Sequence, residues 1–108
     1  MNLKVLDSVL QGSLRDSVFG CILGAFAGDS CGSFGEFSLE LLTRDEMKQC
    51  MAMEGGGPFK LNGGQITDDS EMAMCLLHAI YDSIEKSPSS PKVDERLIAK
   101  YYAKWVKT

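Results

Sequence analysis

Two short stretches of this 108-residue chain hold residue types whose spacing could do chemistry. The first is GDSCGSFGEF, from Gly28 to Phe37, with two carboxylates, Asp29 and Glu36, set among glycines. Glycines free the backbone to turn and let a ligand approach it closely, so Glu36 could be fixed in a cleft. The plainer reading is a helix-to-helix turn in which Asp29 satisfies nearby backbone amides. The second stretch is GGQITDDSE, from Gly63 to Glu71, a flexible lead into a helix with three carboxylates in its first turn. Thr67 or Asp68 could simply cap that helix, with Asp69 and Glu71 complementing its positive end. Adjacent aspartates point about 100° apart on a helix, so Asp68 and Asp69 could also serve two hard cations, or hold one while the other orients a ligand water. A threonine hydroxyl and carboxylates are suitable oxygen ligands for Mg²⁺. His78, the only histidine, follows Cys75 by three residues and shares its helical face. A Cys–His nucleophile pair or a zinc site needs partners that the sequence does not show, so His78 reads as structural.

The elements that must position these residues are helical. Val18, Ile22 and Phe26 recur at helical spacing and predict a helix over about 14–28, along which Gly20, Gly24, Gly28 and Gly32 form a stripe without side chains. Each such glycine costs up to about 1 kcal/mol of helix propensity, which predicts close packing of another helix along the stripe. A second helix is predicted over about 39–53, with a capping box at Thr43–Glu46 and a stop at Glu54-Gly55-Gly56-Gly57-Pro58. A third runs from Thr67 to about Ile84, with Met72, Leu76, Ile80 and Ile84 on one face. The Ser87–Pro91 segment breaks the chain before a fourth that opens near Asp94. Tyr101 and Trp105 on that last helix, and the methionines at 47, 51, 72 and 74, read as packing residues. No stretch alternates as a strand does, and the fold class is all-α, one domain over 1–108.

Composition narrows the class further. Eleven basic and fifteen acidic side chains give a formal charge of −4, and no basic cluster exists, so neither nucleic acid nor an anionic membrane is expected as a partner. The longest mostly apolar stretch, Val18 to Gly28, falls short of the roughly 20 residues that span a bilayer. Lys4, Asp7 and Gln11 interrupt the N-terminal residues in a way a secretory signal does not. Cys21, Cys31, Cys50 and Cys75 include no CxxC pair and are expected to be reduced thiols in small core positions, in a cytoplasmic protein.

Taken together, GCILGAFAGDSCGSFGEF and the later GGQITDDSEMAM resemble the N-terminal part of the ADP-ribosylglycohydrolases, the family that includes the dinitrogenase-reductase-activating glycohydrolases. The resemblance runs from about Asp16 to Trp105, and GGGPFKLNGGQITDDSEMAM is its most specific portion. It implies a helical, metal-dependent hydrolase with two Mg²⁺ ions, or Mn²⁺ in some members. Such enzymes cleave ADP-ribose from modified protein side chains or from small ADP-ribosyl compounds. Thr67, Asp68 and Asp69 match the family's first metal-binding segment, and Glu36 matches a glutamate that acts there as ligand, gate or proton carrier. The ions would hold the ribose hydroxyls and activate water, with a carboxylate handling the proton. The family's second metal segment, Asp-x-Asp-Thr, has no counterpart, because the only aspartates after Asp69 are Asp82 and Asp94. Three carboxylates also fall short of the charge and oxygens that two divalent ions require. The chain is therefore expected to be a fragment, inactive alone, needing a partner chain or a C-terminal segment to complete its site. The alternative expectation is a non-catalytic binding or assembly module built on the truncated scaffold.

Overall fold

The computed structural model describes residues 12–108. Four α-helices follow one another: α1 (Gly12–Gly32), α2 (Arg44–Met51), α3 (Asp68–Lys86) and α4 (Glu95–Trp105), with a single 3₁₀ turn, Ser33–Gly35, directly after α1. No strand occurs among the described residues, where the one extended pairing is an isolated antiparallel bridge between Gly56 and Leu61. The all-α expectation holds.

Boundaries move for physical reasons. α1 continues through Gly28 to Gly32, so the glycine-broken turn expected from Gly28 begins only after that, and Asp29 sits on a helix. Nothing lies within 4 Å of a methyl group placed at Gly20, Gly24, Gly28 or Gly32, so no helix among the described residues packs on the stripe. α2 starts at Arg44 rather than near Leu39, because Thr43 takes the N-cap. Glu46 N donates to Thr43 Oγ1 at 3.3 Å, and Thr43 N donates to Glu46 Oε2 at 2.7 Å. The same helix closes before the three glycines. Met53, at φ 51°, takes the left-handed position, and the amides of Met53 and Glu54 donate to the carbonyls of Cys50 and Gln49.

The glycines instead shape the loop beyond. Gly55, Gly56 and Gly57 all have positive φ, and Gly56 and Leu61 exchange backbone hydrogen bonds of 2.8 and 3.0 Å. Gly57 lies against the backbone of Phe34, where an added Cβ would come within 2.8 Å of the Phe34 Cα and carbonyl oxygen. This contact pins the loop leading to α3 onto the turn that follows α1.

α3 and α4 form the best-packed unit, joined around Ala79 and Leu97, the buried apolar side chains of the described residues. Ser83 is also buried. Its hydroxyl donates to the Ala79 carbonyl (2.6 Å) and accepts from the Asp94 amide (2.9 Å), while the Asp94 carboxylate caps α4 through the Arg96 amide. The seam thus runs along Ala79 and Ser83, and the expected Met72–Leu76–Ile80–Ile84 face is only half-buried. Tyr101 and Trp105 are half-buried too, each tied by a polar tip: Tyr101 Oη donates to Asp82 and Trp105 Nε1 to Glu71, both at 2.7 Å. His78 is exposed and stacks on Tyr101 with ring centroids 5.8 Å apart. Met47, Met51 and Met74 are exposed and Met72 is half-buried, and Cys21 is exposed with the other three thiols half-buried, so the cysteines do not take the core positions expected.

α1 has apolar residues on all sides, with Phe19 and Leu23 half or more exposed. At 21 residues it measures about 31 Å, and by length and composition alone it is long and apolar enough to cross a bilayer, which removes the length argument made from Val18–Gly28. The central helix of a helical protein passes the same test. The radius of gyration, 17.4 Å, exceeds the roughly 13 Å of a compact chain of this length.

Two glycine substitutions should separate these roles. Gly57→Ala, strained in φ and closed off by Phe34, is expected to lower stability by about 1–3 kcal/mol. Gly20→Ala, in an open helical position, is expected to raise it by roughly 0.5–1 kcal/mol. Urea unfolding followed by circular dichroism measures both. A destabilised Gly20→Ala would mean that the stripe is packed in solution.

Candidate functional site

The site is assembled where the end of α1 meets the start of α3. Asp29, on the last turns of α1, reaches across to residues far along the chain. Its Oδ2 accepts the backbone amides of Thr67 (2.8 Å) and Ser70 (3.3 Å), and its Oδ1 accepts the Thr67 hydroxyl. Burial alone would push the Asp29 carboxyl up. The side-chain and backbone hydrogen bonds from Ser70 and Thr67 together outweigh it and hold the group below its usual carboxylate range. The amides that Asp29 satisfies are therefore not its neighbours in sequence, as the turn reading expects, but the orphan donors of another helix.

Past α1, the 3₁₀ turn ends at Gly35 and Glu36 follows in extended conformation. Phe37 then adopts φ 60°, an uncommon conformation for a bulky residue, and its exposed ring meets Phe59 edge-on at 6.0 Å. An open cavity of about 430 Å³ lies here, lined by Ala25, Gly28, Asp29, Gly32, Ser33, Glu36 and Asp69. Gly28 and Gly32 contribute wall without side chains, so the lower half of the glycine stripe makes room for a cavity and not for a packed helix.

Of the residues singled out from the sequence, Glu36 and Asp69 share this cavity. Asp68 is exposed and outside its lining, as its position one residue round the helix requires. Thr67 occupies the N-cap of α3, yet its side chain makes no capping bond to that helix, because its hydroxyl is turned to Asp29. Glu71 points away to Trp105. Glu36, Asp68 and Asp69 have no hydrogen-bond or ion-pair partner among the described residues. Sequence reasoning missed the long-range role of Asp29. The signal was present: a single carboxylate ending the apolar run VFGCILGAFAGD has to find donors beyond its own helix.

A binuclear Mg²⁺ or Mn²⁺ centre is not complete in these residues. Among the described residues no group of three or more His, Cys, Asp or Glu side chains is placed to hold a metal ion. Of the three carboxylates lining the cavity, Asp29 is already engaged by Thr67 and Ser70, leaving Glu36 and Asp69. Two carboxylates cannot provide the oxygens of even one well-bound ion without help.

The arrangement is that of a helical scaffold presenting acidic residues at one helix–helix junction. Comparison with known proteins gives it a family. The family model for ADP-ribosylglycohydrolase matches residues 10–108, and the chain belongs to that family. It is 34% identical over 90 residues to the ADP-ribosylarginine hydrolase Tri1 of Serratia proteamaculans, covering 83% of this chain and 21% of that protein. It is 44% identical over 61 residues to the Tri1 hydrolase of Pseudomonas putida, covering 56% of this chain and 15% of that one. It is 31% identical over 100 residues to the ADP-ribosyl-[dinitrogen reductase] glycohydrolase of Rhodospirillum rubrum, covering 89% and 30%. The chain thus spans less than a third of the length of each of these relatives. No solved structure matches it.

The Asp29 hydrogen bonds carry a pH signature. A carboxyl whose folded pKa lies below its unfolded value stabilises the fold fully above the unfolded value, and that stabilisation is lost as pH falls through the folded one. Urea midpoints should therefore drop as pH falls below the ordinary carboxylate range, with part of the drop missing in Asp29→Asn. Glu46 is lowered by the hydrogen bonds from Thr43 and contributes in the same window. The comparison is therefore made in a Glu46→Gln background. An Asp29→Asn profile parallel to its parent would show that the bonds to Thr67 and Ser70 do not form in solution.

Proposed function

We propose that this chain supplies the N-terminal share of a site that removes ADP-ribose from modified protein side chains or small ADP-ribosyl compounds, and that the 108 residues do not catalyse alone. The observation that carries the reading is the meeting of Glu36 and Asp69 at one cavity, from segments 33 residues apart, in a chain of this family. The names of its relatives, hydrolases of ADP-ribosylarginine and of ADP-ribosylated dinitrogen reductase, point to ADP-ribosylated proteins as the substrate class.

In this reading Thr67, Asp68 and Asp69 are oxygen donors offered from the start of α3, toward the divalent ions on which the family generally depends. Glu36, on its own short connection, is a further ligand, a gate to the site or a proton carrier. The remaining donors come from sequence beyond these 108 residues or from a partner chain. The acidic wall also lacks a cradle for the two phosphates of ADP-ribose, which this share of the site would repel without added positive charge. Both deficits favour an incomplete catalyst over a minimal one.

Pure 108-residue protein supplied with Mg²⁺ should release no ADP-ribose from an ADP-ribosylarginine peptide above the buffer rate. The endogenous polypeptide isolated from its source cells, whatever its intact mass, should release it and lose that activity on Asp68→Asn. Turnover by the pure chain that vanishes in Asp68→Asn would refute inactivity alone. An endogenous polypeptide without hydrolase activity would refute the catalytic reading in favour of a binding or assembly module.

A further inference from the structure

We infer that Asp29 is a positioning residue for the candidate site: it makes the Thr67 hydroxyl an acceptor-only oxygen and fixes the rotation of α3 that brings Asp69 to the cavity beside Glu36. The inference deepens the proposed function and rests on its reading that Glu36 and the Thr67–Asp69 segment act together.

The argument starts from a capping bond that is not made. Threonine at an N-cap ordinarily accepts the amide two or three residues on, and Thr43 does so for α2. Thr67 holds the same position before α3, yet the amide three residues on, that of Ser70, goes to Asp29 instead. A local cap would satisfy α3 without ordering anything distant. Using a carboxylate from 38 residues upstream adds a constraint between two elements, and what it fixes is their relative geometry.

Donors from Thr67 and Ser70 converge on this one carboxylate, among them both backbone amides at the start of α3. Anchoring both the N-cap amide and the amide of the third helical residue restricts rotation of the helix about its axis. Successive residues step by about 100°, so a one-residue error would exchange Asp68 for Asp69 at the cavity. A threonine hydroxyl has one hydrogen and two lone pairs, and with the hydrogen given to Asp29 only acceptance remains. Thr67 is thereby committed to electropositive neighbours. Asparagine has nearly the same shape, but it loses one acceptor oxygen and the charge: it cannot receive the Thr67 hydroxyl together with the two amides, and the amides it keeps meet a neutral oxygen in place of a carboxylate.

The test uses the 108-residue chain, with Asp29→Asn and Thr67→Val as variants and Thr43→Ala as a control that removes a cap elsewhere. Amide hydrogen exchange by NMR is the first readout. Asp29→Asn should speed exchange at Thr67 and Ser70 by about tenfold beyond the change at Ala79, while Thr43→Ala should leave that ratio unaltered. Exchange rising equally at all three positions in Asp29→Asn overturns the inference.

Broadening by Mn²⁺ is the second readout, one that a purely stabilising contact would not move. In the unsubstituted chain, amide signals of residues 33–37 and 68–70 should broaden at the same Mn²⁺ concentration. In Asp29→Asn and Thr67→Val, the second group should need at least about fivefold more Mn²⁺ while the first is unchanged. Coincident broadening retained in both variants also overturns the inference. Should Asp29→Asn not fold, Asp29→Glu, which keeps the charge but moves the carboxylate by one methylene, is read in the same two ways. If Mn²⁺ broadens neither group in the unsubstituted chain, the shared-site reading under Proposed function fails, and the exchange ratio decides the role of Asp29 by itself.

Discussion

A helix leaves its first amides without partners, and the protein must bring something negative to them. In this chain the partner for α3 is a carboxylate carried on α1, and much of the remaining architecture depends on that choice. The hydrogen bonds of Asp29 hold the two longest helices together where little apolar surface does so. They determine which face of α3 looks at Glu36, and they leave a cavity between the elements because glycines occupy the adjoining turns of α1. The contact of Gly57 with Phe34 works beside it, fixing the start of the path by which the chain reaches Thr67. Fold and candidate site thus share one anchor.

Around that anchor the molecule is thinly packed. Its buried apolar side chains among the described residues belong to the α3–α4 pair, while α1 shows apolar side chains on every side. A helix without a polar face is at home only when surrounded. Glu36 and Asp69 repeat the pattern on the polar side, since they meet at a cavity but fall short of a complete set of metal ligands. The chain covers 21% and 30% of the lengths of the Serratia and Rhodospirillum relatives.

The helices themselves were legible in the sequence because their signals are local. The Thr43–Glu46 capping box, the Ser/Pro break after α3 and the turn residues after α2 each involve neighbours within a few positions. Family membership was legible from two motifs in the right order. What local patterns could not provide was the partnership of Asp29 with Thr67 and Ser70, which depends on how two helices meet. The glycine stripe was misread for the same reason: spacing shows that a helix face is bare, but not whether a helix or a cavity lies against it. The cysteines were expected inside because their chemistry suits a core, and the described residues have too little core to take them. Met53 shows a further limit, ending α2 in a conformation that the nearby glycines would have adopted at less cost.

The span between Asp29 and its partners also has a consequence for synthesis. Thr67 and Ser70 follow Asp29 by 38 and 41 residues, so at translation speeds of about 5–20 residues per second they are made roughly 2–8 seconds later. The apolar helix is complete throughout that interval, while the donors for its carboxylate are still to come. The α3–α4 pair, built from contacts between near neighbours, can form as soon as it emerges. Among the described helices the first therefore waits longest for its partner, and during the wait a chaperone or the ribosome surface has access to it.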